Sequence, residues 1–315
     1  FTNCVRFVAN GTGRLDLRSL TESNATEFRA SKGGVNDAFN ATSYDGARRR
    51  GGATAGIPLD ITATGAGSSI DLSGLTTLIG ASFSNPIMEI RVGADSELLL
   101  SSLNTLSQHA DIIVNGHLEV QRSGKTTLQD VRFFTADGST TAGNVELAGS
   151  TDMSKARGTL DGNLFNSAIV NVGTSPGLFT ITGNYFQESN GTLNIELGGL
   201  EAGIEYDQIQ IGGRATLDGT LNVSLINSFT PTSGDDFKVL TYRSADGDFA
   251  TKNGLSGLAA FDAGPSYDLV LNPASISGIV FHDVNRDGVQ DAGELGLNDQ
   301  TVYLDLNDNA KLDKG

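Results

Sequence analysis

The stretch FHDVNRDGVQDAGE, residues 281–294, sets oxygen-bearing side chains at fixed spacing. Counted from Asp283, it places Asp283, Asn285, Asp287, Val289, Asp291 and Glu294 at loop positions one, three, five, seven, nine and twelve, with Gly288 at six. That is the order of a calcium loop. Calcium is a hard cation that takes six to eight oxygens from flexible polar loops. Asp283, Asn285 and Asp287 would supply side-chain oxygens, Val289 its carbonyl, Asp291 a water-mediated contact and Glu294 both carboxylate oxygens. Gly288 allows the sharp bend between them. A second run, DLNDNAKLD, repeats the opening of the pattern at Asp305, Asn307, Asn309, Lys311 and Asp313, with Ala310 in place of the Gly. Ca2+ is therefore the expected cofactor, and Asp305, Asn307, Asn309 and Asp313 are further candidate ligands.

The elements flanking the loop are the wrong kind for an EF-hand, which has a helix on either side. SISGIVF before it is short and β-branched, and GLNDQTVYLDL after it reads as a turn and a strand. Strands must then hold the ends of this loop.

Strand grammar runs through the whole chain. GTGRLDLRSLT at 11–21 returns as GAGSSIDLSGLT at 65–76, with Leu15, Leu17 and Leu20 matching Ile70, Leu72 and Leu75. SELLLSSLNTL follows, where Leu98, Leu100, Leu103 and Leu106 repeat the spacing of Ile70, Leu72, Leu75 and Leu78 at a step of 28 residues. Further pairs follow at Leu118 with Val120, Val145 with Leu147, Ile169 with Val170 and Val172, and Leu193 with Ile195 and Leu197. Alternation at period two means strand, because successive side chains leave opposite faces. One such unit cannot bury its inward face alone, whereas units stacked about 4.8 Å apart bury a continuous column and pair their backbones. The expected fold is all-β: a parallel β-helix with a C-terminal β cap. A leucine-rich repeat shares the period but not the L-x-x-L-x-L-x-x-N spacing. An antiparallel sandwich is the structural rival, since periodicity does not report strand direction.

Composition fits an elongated repeat fold. The chain has 315 residues, 38% of them hydrophobic, with 40 Gly against 6 Pro, a balance of many turns and little compact core. The formal charge of -16 argues against nucleic acid, whose phosphates would be repelled. The one cysteine, Cys4, has no internal disulfide partner and reads as a small core residue. GARRRGG at 46–52 reads as a solvated loop. No apolar run reaches the roughly 20 residues of a spanning helix, and the chain reads as a fragment.

From about residue 174 the pattern changes. TSPGLFTITGNYFQESNGTLNIELGG, EYDQIQIGGRATLDGTLNVSLI and DDFKVLTYRSADGDF resemble the region that closes bacterial autotransporter-type β-helical passengers, over about residues 170–272. The resemblance implies a terminal, capping part of a β-helix on a surface protein. Pro273 then breaks the strand pattern. ISGIVFHDVNRDGVQDAGELGLNDQTVYLDLNDNAKLD resembles the start of a B-type repeat domain of the serine-aspartate repeat surface proteins, over residues 275–315. Such domains are immunoglobulin-like β modules with EF-hand-like calcium loops between strands, and the resemblance implies calcium rigidification of a stalk. The expected organisation is β-helix repeats over 1–173, a terminal or capping β region over 174–273, and a truncated calcium-binding module over 274–315.

Three matches to catalytic patterns read as turns. GTSPG at 173–177 fits G-x-S-x-G, but Pro176 stands where a helix should start. SGKTT at 123–127 lacks the first Gly of a phosphate loop, with Glu119 in its place. His109, His117 and His282 share no ligand spacing. Five N-x-S/T sequons begin at Asn10, Asn24, Asn40, Asn190 and Asn222. The expected function is noncatalytic: a secreted or cell-surface structural or adhesive protein, with calcium and host or matrix glycans or proteins as partners. The alternatives are a carbohydrate-active β-helix enzyme, lyase or hydrolase, and a calcium-dependent glycan binder. Absence of Trp and a count of 6 Tyr leave few stacking platforms for sugars.

Overall fold

The computed structural model describes residues 5–21, 26–45, 60–81, 88–174, 176–271, 278–298 and 300. The chain divides into two compact units, 1–273 and 274–315.

The first unit is a parallel β-helix. Among the described residues its strands form three sheets of eleven, twelve and nine strands, and successive coils add one strand to each sheet in turn. In one coil these are Ile61–Thr64, Ser69–Asp71 and Thr77–Ile79; in the next, Met88–Val92, Glu97–Leu99 and Thr105–Ser107. Among the described residues every pairing between its strands but two is parallel, which excludes the antiparallel sandwich. Stacking does not break at residue 174. Ile169–Val172 pairs with Thr192–Leu197, which pairs with Thr220–Leu225 and so on to Thr251–Asn253. Both antiparallel pairings lie at the end of this unit, where Ser266–Leu271 pairs with Asp236–Thr241 and Leu258–Asp262. This hairpin ends the second sheet with two antiparallel strands in place of a further parallel coil.

Alternation decides what faces inward. Down the first sheet, Phe28, Ile61, Ile90, Ile112 and Phe133 stand opposite one another, each at most 1% exposed. In the second sheet Ile70 lies opposite Leu98, and in the third Leu78 opposite Leu106, so the 28-residue step is a true coil. The step from Leu15 to Ile70 covers two coils. Leu15 pairs with Asn36, and Asn36 with Ile70. Asn36 is fully buried, its amide donates to the Arg29 carbonyl at 2.8 Å, and its Oδ1 is without a partner. Ile169 departs from the expected inward set: it is 39% exposed, while Val170 and Val172 are buried.

Polar groups inside the column are held by neighbouring coils. Asn166 donates to Gln187 at 2.9 Å and to the Thr192 carbonyl at 3.2 Å, and the Tyr185 hydroxyl donates to Gln187. Buried Thr126 and Thr151 donate to the carbonyls of Leu103 and Leu128, one coil back, at 2.6 and 2.8 Å. Such pairing matters because an unmet polar group in an apolar column costs about 1–3 kcal/mol. Some corners admit no side chain: a Cβ on Gly74 would lie 2.0 Å from the Phe39 carbonyl oxygen of the adjoining coil.

Outside, the first sheet carries an amide ladder. Asn171 donates to Asp152 at 2.8 Å, Asn194 to Asn171 at 2.6 Å, Asn222 to Asn194 at 2.8 Å and Asn253 to Asn222 at 2.9 Å. In-register parallel strands bring like residues one strand spacing apart, and an amide both donates and accepts, so identical Asn can chain along the axis.

Within the second unit, residues 281–296 form a loop closed by an antiparallel bridge between Phe281 and Gly296. The His282 and Leu297 N–H groups donate across its base to the carbonyls of Leu295 and Val280, at 3.1 and 2.8 Å. Most of the expected flanking strands lie outside the described residues. Among those residues no helix is long and apolar enough to cross a membrane.

Candidate functional site

The calcium-like loop is organised by its own carboxylates. Asp283 accepts the N–H of Arg286 at 2.5 Å and of Gly288 at 2.9 Å, pulling the chain into a bend with Arg286 at φ 64° and Gly288 at φ 78°. A side chain at Gly288 would be strained there, which is why that position is Gly. Asn285 accepts the Asp287 N–H at 3.0 Å, and Asp287 accepts the Val289 N–H at 2.8 Å. Glu294 is only 9% exposed and reaches back across the ring, accepting the N–H of Val284 at 2.7 Å and of Asp291 at 3.0 Å.

The side chains of positions three, five and nine converge. The Asn285 amide donates to Asp287 at 3.0 Å and to Asp291 at 2.7 Å, lying between two carboxylates that would otherwise repel one another. Four carboxylates against Arg286 leave the loop strongly negative. Among the described residues no three His, Cys, Asp or Glu side chains are gathered closely enough to form a metal cage. The donor chemistry nonetheless fits a hard cation, since Asp283, Asn285, Asp287, Asp291 and Glu294 are oxygen ligands on one short ring. Val289 is on the same ring. Asp305, Asn307, Asn309 and Asp313 of the second run lie outside the described residues.

The catalytic-pattern matches fall on strands and the segments that link them, with Thr126 and Thr127 inside Thr126–Gln129 and His117 opening His117–Glu119. Residues 173–177 link Ile169–Val172 to Leu178–Ile181, with Ser175 outside the described residues. Residues 123–125 lead into Thr126–Gln129, and Lys125 pairs with Glu146 at 2.5 Å. The His109 ring contacts the Ala81 carbonyl at 3.2 Å.

The first unit carries a second candidate region that reading along the chain missed. Three adjoining depressions of about 570, 480 and 500 Å³ run across successive coils beside the first sheet. The first and second share Asn115 and Asp137; the second and third share Lys155 and Thr174. The middle one has an apolar floor of Ile113 and Phe134, adjacent across coils. Arg132 lies over the Phe134 ring at 5.7 Å and pairs with Asp111; Arg157 pairs with Asp137 at 2.6 Å. Lys155 is exposed, at φ 63°, in a bulge between Met153 and Ala156. These residues are far apart in sequence, and only coil register unites them.

At the third depression Asp207 is 1% exposed and ties coils together, accepting the N–H of Gly177 at 2.7 Å and of Glu196 at 2.8 Å. Burial raises its carboxyl to about 7, against the opposing pull of those two N–H groups. EYDQIQI offered no signal for this, because the alternation that marks a strand says nothing of which acid is enclosed.

No protein-family model matches this chain, and no curated protein is significantly similar to it.

Proposed function

We propose that this chain is a noncatalytic structural and adhesive part of a secreted or cell-surface protein: a β-helical rod followed by a calcium-stabilised module. The observation that carries the calcium half is the Asn285 amide bridging Asp287 and Asp291 inside a ring closed by Glu294. That amide holds the Asp287 and Asp291 carboxylates on either side of it, and a divalent cation would draw these and the other ring oxygens inward. Asp283, Asn285, Asp287, Asp291 and Glu294 would hold the ion with the Val289 carbonyl. Strand pairing at the loop base would take the place of flanking helices. The likeness of residues 275–315 to B-type modules, and of 170–272 to passenger ends, supports the surface assignment.

The rod half is supported by the stacked inward column, whose stability comes from neighbouring coils rather than disulfides. Calorimetric titration with Ca2+ tests the loop: binding is expected in the full chain and is expected to be lost in an Asp283→Ala, Glu294→Ala double variant. No heat, or heat unchanged in the variant, would overturn it. Turnover of an acidic polysaccharide by the chain would replace the noncatalytic assignment with the enzyme alternative.

A further inference from the structure

We infer that the middle of the coil-crossing furrow binds a glycan through a ring-borne carboxylate, with the sugar on the apolar floor of Ile113 and Phe134 and the carboxylate on Lys155. This deepens the adhesive reading and rests on it, but uses no residue of the calcium loop.

The charge pattern selects the ligand. Of the three cations at this depression, Arg132 and Arg157 are each paired with an aspartate, whereas Lys155 has no salt-bridge partner among the described residues. One uncompensated positive charge beside an apolar floor suits a ring with one negative charge. Densely charged polyanions are disfavoured, because the furrow turns acidic on both sides: Asp95 and Glu97 line the first depression and Glu196 the third. Those flanks also offer Ser, Asn and carboxylate acceptors of the kind that hold sugar hydroxyls. The depressions follow one another across coils about 4.8 Å apart, so an extended oligomer can lie along them with its acidic ring at the centre.

The backbone at Lys155 supports a presented side chain. It is a non-glycine residue held at φ 63° in a register-shifting bulge, and bulges commonly re-aim a side chain beside a site. Phe134 and Ile113 stand on the outer face of the first sheet, where neighbouring positions carry Asp111 and Arg132. Stacking of Arg132 on Phe134 leaves the rest of the depression floor to a ligand.

The test uses the full chain and two sources of a single ring carboxylate, a xylotetraose bearing one glucuronate and sialyllactose, each beside its methyl ester, with tetraglutamate as a peptide probe. At least one acidic glycan is expected to bind, and its ester about tenfold more weakly, the scale of one hydrogen bond to a charged group. Lys155→Gly keeps the left-handed backbone without strain and is expected to lose about tenfold in affinity, with Lys155→Arg restoring it. Phe134→Ala is expected to weaken acid and ester alike. The proposal is overturned if neither glycan binds, if the ester binds equally, if Lys155→Gly is silent, or if tetraglutamate binds in preference. Because Asp283→Ala, Glu294→Ala removes only the loop, it is expected to leave glycan affinity unchanged.

Discussion

The run ELLL, residues 97–100, sets three leucines in a row, and only register tells them apart. Leu98 and Leu100 are 0% and 1% exposed, whereas Leu99 points outward between Asp71 on one neighbouring strand and Glu119 on the other. Leu98→Ala is therefore expected to cost about 2–5 kcal/mol, the range for truncating a leucine in a packed column that cannot collapse. Leu99→Lys should do the reverse. A cation roughly 5 Å from two carboxylates in water-like surroundings gains about 0.8 kcal/mol from each by Coulomb's law. Ordering the side chain takes back part of that, so a gain of about 0.2–1 kcal/mol per pair is expected. Equilibrium denaturation of the three chains measures both, and a cycle with Asp71→Asn isolates one pair. The inward and outward assignment fails if Leu99→Lys destabilises by more than about 1 kcal/mol, or if Leu98→Ala costs less than that.

Asp207 gives a pH signature. Its folded-state value of about 7 exceeds the ordinary 3.8, so the folded chain holds a proton that the unfolded chain releases, and stability falls as pH rises between those values. About 2–3 kcal/mol should be lost between pH 5 and pH 8 from this group, and Asp207→Asn should flatten that slope in paired denaturation curves. The amide ladder can be cut in the middle: Asn194→Ala removes the bonds to Asn171 and Asn222. A loss of about 1–3 kcal/mol is expected from two bonds, with an unfolding midpoint shift as the readout. The calcium and glycan titrations above complete the set.

Much of the solenoid was legible because leucine spacing survives stacking. Ile70, Leu72, Leu75 and Leu78 stand over Leu98, Leu100, Leu103 and Leu106 in a rigid grammar, and all eight are buried. The coil before them escaped notice because Asn36, Ala38, Ala41 and Tyr44 fill that space with different chemistry. A buried Asn reads as a turn residue until its partner carbonyl is known. Strand direction came from the repeat step, which calls for stacked coils, and not from alternation, since parallel and antiparallel strands alternate alike. The calcium-like loop was visible in residue types, while its internal hydrogen bonds follow from the bend at Arg286 and Gly288. Lys155 and Phe134 carried no mark, being ordinary outward positions until coils are laid side by side.

Coil length varies widely while strand pairing is kept. Asp152 stands opposite Ile169 after 17 residues, yet Phe28 stands opposite Ile61 after 33. Extra chain between paired strands adds only about 0.6 kcal/mol of loop closure per doubling. Insertions can thus accumulate over evolutionary drift, and foreign epitopes could be grafted between Asp45 and Asp60, without resetting the strands on either side.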